Sequence, residues 1–176
     1  MKNIIRKLYL AVFWSTTIVT IATGQPKQES LANVIKNSLT RSEEQSLLMA
    51  ESLRDQPDKL PRSFNAGGEL VTSNSDGWFS GFFPGTLWYL YENSKSDAVL
   101  DATCNYTARI EKEKYNKRTH DLGFMLYSSF GNGYRLTGDS AYRDVLLTAA
   151  SHWQAVSIPW LAAYSHGKPA PNGSFR

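Results

Sequence analysis

The sequence predicts an all-α fold of paired helices in two layers. Three observations carry this. From residue 27 to residue 151, apolar residues recur at three- and four-residue steps. Short breaks rich in Pro, Gly and Asp separate these segments. Strongly apolar segments alternate with half-polar ones, and none shows the period-two alternation of a half-buried strand. Apolar helices inside and half-polar helices outside would form a ring of helical hairpins. A helical bundle or a helical repeat would give the same pattern.

The elements follow in order. Residues 27–55 read as a helix through Leu31, Val34, Ile35, Leu39, Leu48, Met49 and Leu53, with a polar middle from Arg41 to Gln45. Gln56-Pro57-Asp58 stops it. A stretch with Pro61, Gly67, Gly68 and several Ser and Asn runs to Asp76, long enough to suggest a functional loop. Ser80–Asn93 is a strongly apolar helix, with Pro84 tolerable only in its first turn. It lacks a polar face and is expected to be buried on most sides. Asp97–Lys114 is amphipathic, with Ala98, Ala102, Tyr106 and Ile110 on one stripe. Asp121–Leu136 is another mostly buried helix, and Thr137-Gly138-Asp139 ends it and caps the next, from Ser140 to about Ser151.

Residues 1–24 differ from the rest. Lys2, Arg6 and Lys7 precede an uncharged, mostly apolar run from Leu8 to Ile21, and Ala22-Thr23-Gly24 supplies small residues for cleavage. This is the layout of a secretory signal peptide; an uncleaved anchor is the lesser reading, because the run is short of the roughly 20 residues a membrane-spanning helix needs. The expected product is exported, to the periplasm or beyond, with no membrane in its mature form. The leader holds three bases and no acid, so the 19 Lys and Arg and 16 Asp and Glu of the whole chain become 16 of each. A neutral chain offers no electrostatic case for nucleic acid. Cys104 is the only cysteine, which excludes a disulfide framework, and His120, His152 and His166 lack metal-ligand spacing. No metal site is expected among them. Nothing in the pattern fixes an oligomeric state.

Two segments could carry chemistry. The first is Asp76-Gly77-Trp78-Phe79-Ser80-Gly81-Phe82-Phe83-Pro84-Gly85. A tryptophan in a Gly-rich loop before a buried helix can line a pocket, although packing is the commoner role of a large aromatic. The second is Thr119-His120-Asp121-Leu122-Gly123-Phe124-Met125. Asp121 there can be a helix N-cap. Alternatively it points into a site where it acts on substrate protons or stabilises positive charge, with His120 donating to a sugar hydroxyl or carboxylate.

These motifs, in this order and spacing, resemble glycoside hydrolase family 88, the unsaturated glucuronyl hydrolases. The segments that carry the resemblance are DGWFSGFFPGTLWYLYE and THDLGFMLYSSFGNGYRLTGDSAYRDVLLTAAS, and it spans roughly residues 30–151. The unsaturated rhamnogalacturonyl hydrolases are a weaker match. A sugar-binding helical module without catalysis is a third reading.

The resemblance implies an (α/α)6 toroid of six helical hairpins, of which residues 25–151 would be the amino-terminal part. It implies an unsaturated uronate-containing oligosaccharide as substrate, cut by hydration of its vinyl ether: C4 is protonated, water adds at C5, and the resulting hemiketal opens to release the partner sugar. It implies neither cofactor nor metal. By motif, Asp121 matches the first of two family aspartates, beside the double bond. Trp78 and His120 match positions that contact the unsaturated sugar. The second aspartate lies in a later segment of the FPVIID type, with no counterpart in this sequence.

The resemblance stops after Ser151. Residues 152–176 carry three prolines and two glycines without consistent periodicity. Back-translated with one consistent choice of codons and read one base earlier, the stretch gives SLASRFNPMVGCIFTWKARTEWKFP, which resembles how family members continue. A frameshift is therefore expected to produce residues 152–176 and to leave the chain truncated and inactive. Sequencing the gene across codons 149–153 tests it.

Overall fold

The computed structural model describes residues 29–165, with side chains to residue 152. The leader expected over residues 1–24 and the tail beyond residue 165 lie outside the described residues. Five α-helices, a short hairpin and two tighter or wider helical turns make up the described chain.

Helix α1 spans Leu31–Ser52, and Ser30 caps it, its Oγ accepting from the Asn33 N–H at 3.3 Å. Only the carboxyl-terminal end of α1 enters the core, through Ala50 and the following Leu53, while Leu31, Val34, Ile35 and Leu48 are exposed. The end is fixed from outside. Arg109 Nη1 donates to the carbonyls of Leu53, Gln56 and Lys59 at 3.2, 3.0 and 2.9 Å, and its guanidinium lies 4.0 Å from the centre of the Tyr106 ring. The Leu53 and Gln56 carbonyls also accept from the N–H groups of Gln56 and Lys59, at 3.1 and 3.0 Å, so one planar cation ties together the turns that follow the helix.

The stretch read as a loop contains an antiparallel hairpin, β1 (Leu60–Phe64) and β2 (Leu70–Ser73), with a bulge between Pro61 and Ser63. Pro61 and the bulge hide its alternation. Asn65 builds the turn. Its side-chain oxygen accepts from the N–H groups of Gly67 and Glu69, both at 2.9 Å, and Gly68 takes φ +80°.

Helix α2 (Phe82–Ser94) buries Pro84, Gly85, Leu87, Trp88 and Leu90 and leaves Phe82 and Tyr89 exposed. Helix α3 (Asp97–Ala108) packs along it. Its buried face is Val99, Thr103, Tyr106 and Thr107, continued by Ile110, so the expected stripe is rotated and Ala98 lies outside. The helix also ends sooner than expected: after Ala108 the chain tightens into a 3-10 turn, Glu111–Tyr115, which buries Glu113. Trp88 Nε1 donates to Thr107 Oγ1 at 3.1 Å and Tyr106 donates to the Ala50 carbonyl at 2.9 Å, so α1, α2 and α3 are joined by buried polar contacts as well as apolar ones.

The helix expected over 121–136 is present but not regular. Gly123–Gly131 is a wide π-helical segment, and α4 (Asn132–Thr137) continues it. Met125, Leu126, Ser129 and Phe130 face the core, and the Ser129 hydroxyl donates to the Met125 carbonyl at 2.8 Å, competing with the backbone ladder. Gly138, at φ +71°, stops α4 as its position in the sequence suggests. Helix α5 begins at Ser140 and extends to Ser165, past the end expected near Ser151. It packs on the π segment and the 3-10 turn through Val145 and Ala149.

Two glycines set how closely α2 meets the π segment. A Cβ on Gly81 would lie 2.1 Å from the Met125 carbonyl oxygen and 2.3 Å from that of Phe124, and a Cβ on Gly85 would lie 2.6 Å from the Ser128 oxygen. Only a residue without a side chain allows this approach.

Candidate functional site

The close approach of α2 and the π segment brings the two sequence motifs together. Trp78 lies just ahead of α2, and its ring meets Phe79, Phe82 and Phe124 edge to face, with centroids 5.5, 5.7 and 6.2 Å apart. Phe82 and Phe124 make the same contact at 6.0 Å. Such pairs hold ring orientation at about 0.5–1.5 kcal/mol each. Trp78 is not a core anchor: it is 51% exposed, Phe124 52% and Phe82 42%. The result is a ring platform open to solvent, formed by residues from both motifs.

Phe124 also fixes where Asp121 sits. The Asp121 carbonyl accepts from the N–H groups of Phe124 and Met125 at 2.9 and 3.2 Å, so Asp121 occupies the turn that opens the π segment. Its side chain is not the N-cap. Leu122 holds that position without a side-chain bond. The carboxylate is instead held by its neighbours in sequence. Thr119 Oγ1 donates to Oδ2 at 3.3 Å and accepts from the Asp121 N–H at 3.0 Å, and His120 Nε2 lies 3.4 Å from Oδ1. The Asp121 side chain is 22% exposed and that of His120 59%. Both remain reachable from solvent.

Sequence reasoning did not single out Phe82, Phe124 or Thr119. The first two were legible as residues at helical spacing from the motif residues, Phe82 four after Trp78 and Phe124 three after Asp121. Asp76, two residues before Trp78, pairs with Arg118 at 3.6 Å, two residues before His120. A cleft of about 830 Å³ lies elsewhere, between α1 and α3 beside Tyr106 and Arg109. A smaller one of about 580 Å³ is bounded by Lys59, Ser75, Asp76, Glu113 and Arg118 and adjoins the site. Among the described residues there is no group of three or more His, Cys, Asp or Glu side chains placed to share a metal ion. No described helix is long and apolar enough to cross a membrane.

No family model matches the chain. An unsaturated glucuronyl hydrolase of Formosa agariphila is 38% identical over 95 residues, 53% of this chain and 24% of that protein. An unsaturated chondroitin disaccharide hydrolase of Streptococcus pneumoniae is 37% identical over 78 residues, 42% of this chain and 19% of that one. Among solved structures, an unsaturated glucuronyl hydrolase specific for heparin matches with a TM-score of 0.58 and 38% identity, over 66% of this chain and 32% of that one. A mutant of the Streptococcus agalactiae enzyme, complexed with dGlcA-GalNAc6S, matches with a TM-score of 0.58 at 17% identity, over 80% and 40%. The chain thus spans about a quarter of the length of the first of these proteins. Sequence and fold agree that this chain is similar to the unsaturated glucuronyl hydrolases over part of their length, and that its described residues carry part of their helical toroid.

Proposed function

We propose that this chain contributes part of the active site of a hydrolase for unsaturated uronyl oligosaccharides, the sugars that polysaccharide lyases leave with a C4=C5 double bond. The observation that carries the reading is the exposed Trp78–Phe82–Phe124 platform beside the doubly held Asp121 carboxylate. A pyranose presents C–H groups on its faces, which suit an aromatic ring, and its polar edge needs hydrogen-bonding groups nearby. Trp78 receives the unsaturated ring. His120 donates to a hydroxyl or to the uronate carboxylate. Asp121 stands beside the double bond, where protonation at C4 builds positive charge on the ring carbon and oxygen, and a fixed carboxylate stabilises that charge. The first 24 residues direct the chain out of the cytoplasm, to the periplasm where lyase products arrive.

A second reading has an observation in its favour. The described residues supply several rings of a platform but one carboxylate where acid–base chemistry needs a pair, so sugar binding without turnover also fits. One experiment separates the two. The purified chain, and the chain extended through the shifted frame after codon 151, are given an unsaturated uronyl disaccharide, and loss of the ultraviolet absorbance of its conjugated double bond is followed. Turnover by the extended protein, lost in Asp121→Asn and weakened in KM by Trp78→Ala, is the expected result. Binding without turnover in both proteins would leave the platform as a binding site alone. Turnover undiminished in Asp121→Asn would remove Asp121 from the chemistry.

A further inference from the structure

Glu113 is a buried carboxylate that the proposed chemistry does not use. It is 7% exposed and comes from the 3-10 turn between α3 and the π segment. Its two oxygens face different parts of the chain. Oε1 accepts from Ser75 Oγ at 2.5 Å, and Oε2 accepts from Asn116 Nδ2 at 2.8 Å. Ser75 stands three residues before Trp78. Asn116 stands in the loop that leads to His120 and Asp121, and its own side-chain oxygen accepts from the Arg118 N–H at 2.8 Å. Arg118 then returns across the gap to Asp76 at 3.6 Å. The contacts close a circuit: Ser75, Glu113, Asn116, Arg118, Asp76.

We infer that Glu113 is a positioning residue that holds the Trp78 loop and the His120–Asp121 loop in one register. The inference rests on the reading of those three residues as the sugar site. The two loops are far apart in sequence, and each carries one half of that site. The platform contacts alone are edge-to-face ring contacts on exposed side chains, which leave the loops free to slide along one another. A carboxylate with one oxygen on each loop does not. Its two acceptors are fixed about one carbon, in the plane that sets direction as well as distance. Burial strengthens the Ser75 bond most, because water competes little for it, and the Asn116 bond is partly shielded.

The test compares Glu113→Ala with Glu113→Gln in the full chain. Glutamine keeps a planar head group that can accept from Asn116 and donate to Ser75, so it should preserve the bridge; alanine cannot. Amide hydrogen exchange over residues 74–78 and 116–121 is expected to quicken in Glu113→Ala and to stay near wild type in Glu113→Gln. Affinity for an unsaturated uronyl disaccharide should fall at least about tenfold in the first and recover in the second. Val99→Ala, a core truncation on α3, controls for lost stability: matched by denaturant to the same fraction folded, it should leave affinity unchanged. Unchanged exchange in both loops of Glu113→Ala would overturn the inference. So would an affinity loss no larger than that of Val99→Ala. If the unmodified chain binds no disaccharide, the reading of the sugar site fails, and the exchange measurement still decides whether Glu113 couples the loops.

Discussion

Replacing Gly81 by alanine puts a methyl carbon 2.1 Å from the Met125 oxygen and 2.3 Å from the Phe124 oxygen. A close carbon–oxygen contact is about 3.3 Å, so the methyl must retreat by more than about 1 Å. Neither obstacle is the end of a flexible side chain. Both are backbone carbonyls of the π segment, which is packed between α2 and α5. Relief therefore requires the elements to separate, and with them the face that carries Met125 and Leu126. Overpacking of this kind costs about 1–3 kcal/mol, and a rigid obstacle belongs at the upper end. For a domain of this size ~3 kcal/mol lowers the melting midpoint by about 10 °C.

Circular dichroism at the helical band, with heating, measures the loss. Gly123→Ala is the control, because a Cβ there meets nothing within 4 Å. That change should be neutral or stabilising by up to about 1 kcal/mol, as alanine orders the unfolded chain less costly to fold. A Gly81→Ala protein that melts within about 2 °C of the unmodified chain would refute the close approach. So would equal losses from both substitutions, since the argument depends on what each methyl touches.

Three further outcomes follow from the packing. Arg109→Ala should cost about 2–4 kcal/mol in urea unfolding, because three carbonyls at the end of α1 lose their shared donor, and Arg109→Lys should recover less than half of it. Burial raises Tyr106, and burial followed by the hydrogen bond to Cys104 raises Tyr142; both raised values mean stability that is full below about pH 10 and lost as the pH climbs through the folded values, so the melting midpoint should fall as tyrosinate absorbance appears. Exposed Leu31, Val34, Ile35, Leu48, Tyr127 and Leu147 should make the chain associate as its concentration rises, and sedimentation of a Leu48→Lys, Tyr127→Lys double variant should show less of it.

The helices were legible because their ends are chemically marked. Gln56-Pro57-Asp58 and Gly138 stand close to where elements stop. The hairpin was not legible, since Pro61 and the adjacent bulge break the alternation that reveals a strand. The buried face of α3 was misjudged by about one residue because two of its buried positions, Thr103 and Thr107, are polar. Thr107 accepts from Trp88, and the Thr103 hydroxyl donates to the Val99 carbonyl at 2.6 Å. Glu113 was hidden for a related reason. In Glu111-Lys112-Glu113-Lys114 it reads as one charge in a solvated run, and only Ser75, 38 residues away, gives it a buried partner.

These cases bear on why the glycine contact and the carboxylate circuit occur together. Gly81 lets the backbones of α2 and the π segment approach to a fixed depth, which sets the separation of the elements but not their sliding. Glu113 links the loops that precede them, which resists sliding but leaves depth to the packing. Each supplies the restraint that the other lacks. A double variant therefore has a definite expectation: Gly81→Ala and Glu113→Ala both loosen the contact between Trp78 and Phe124, so their effects on disaccharide affinity should combine to less than their sum. Strict additivity, measured with each protein matched to the same fraction folded, would mean that depth and register are set independently, and that the ring platform is not where the two restraints meet.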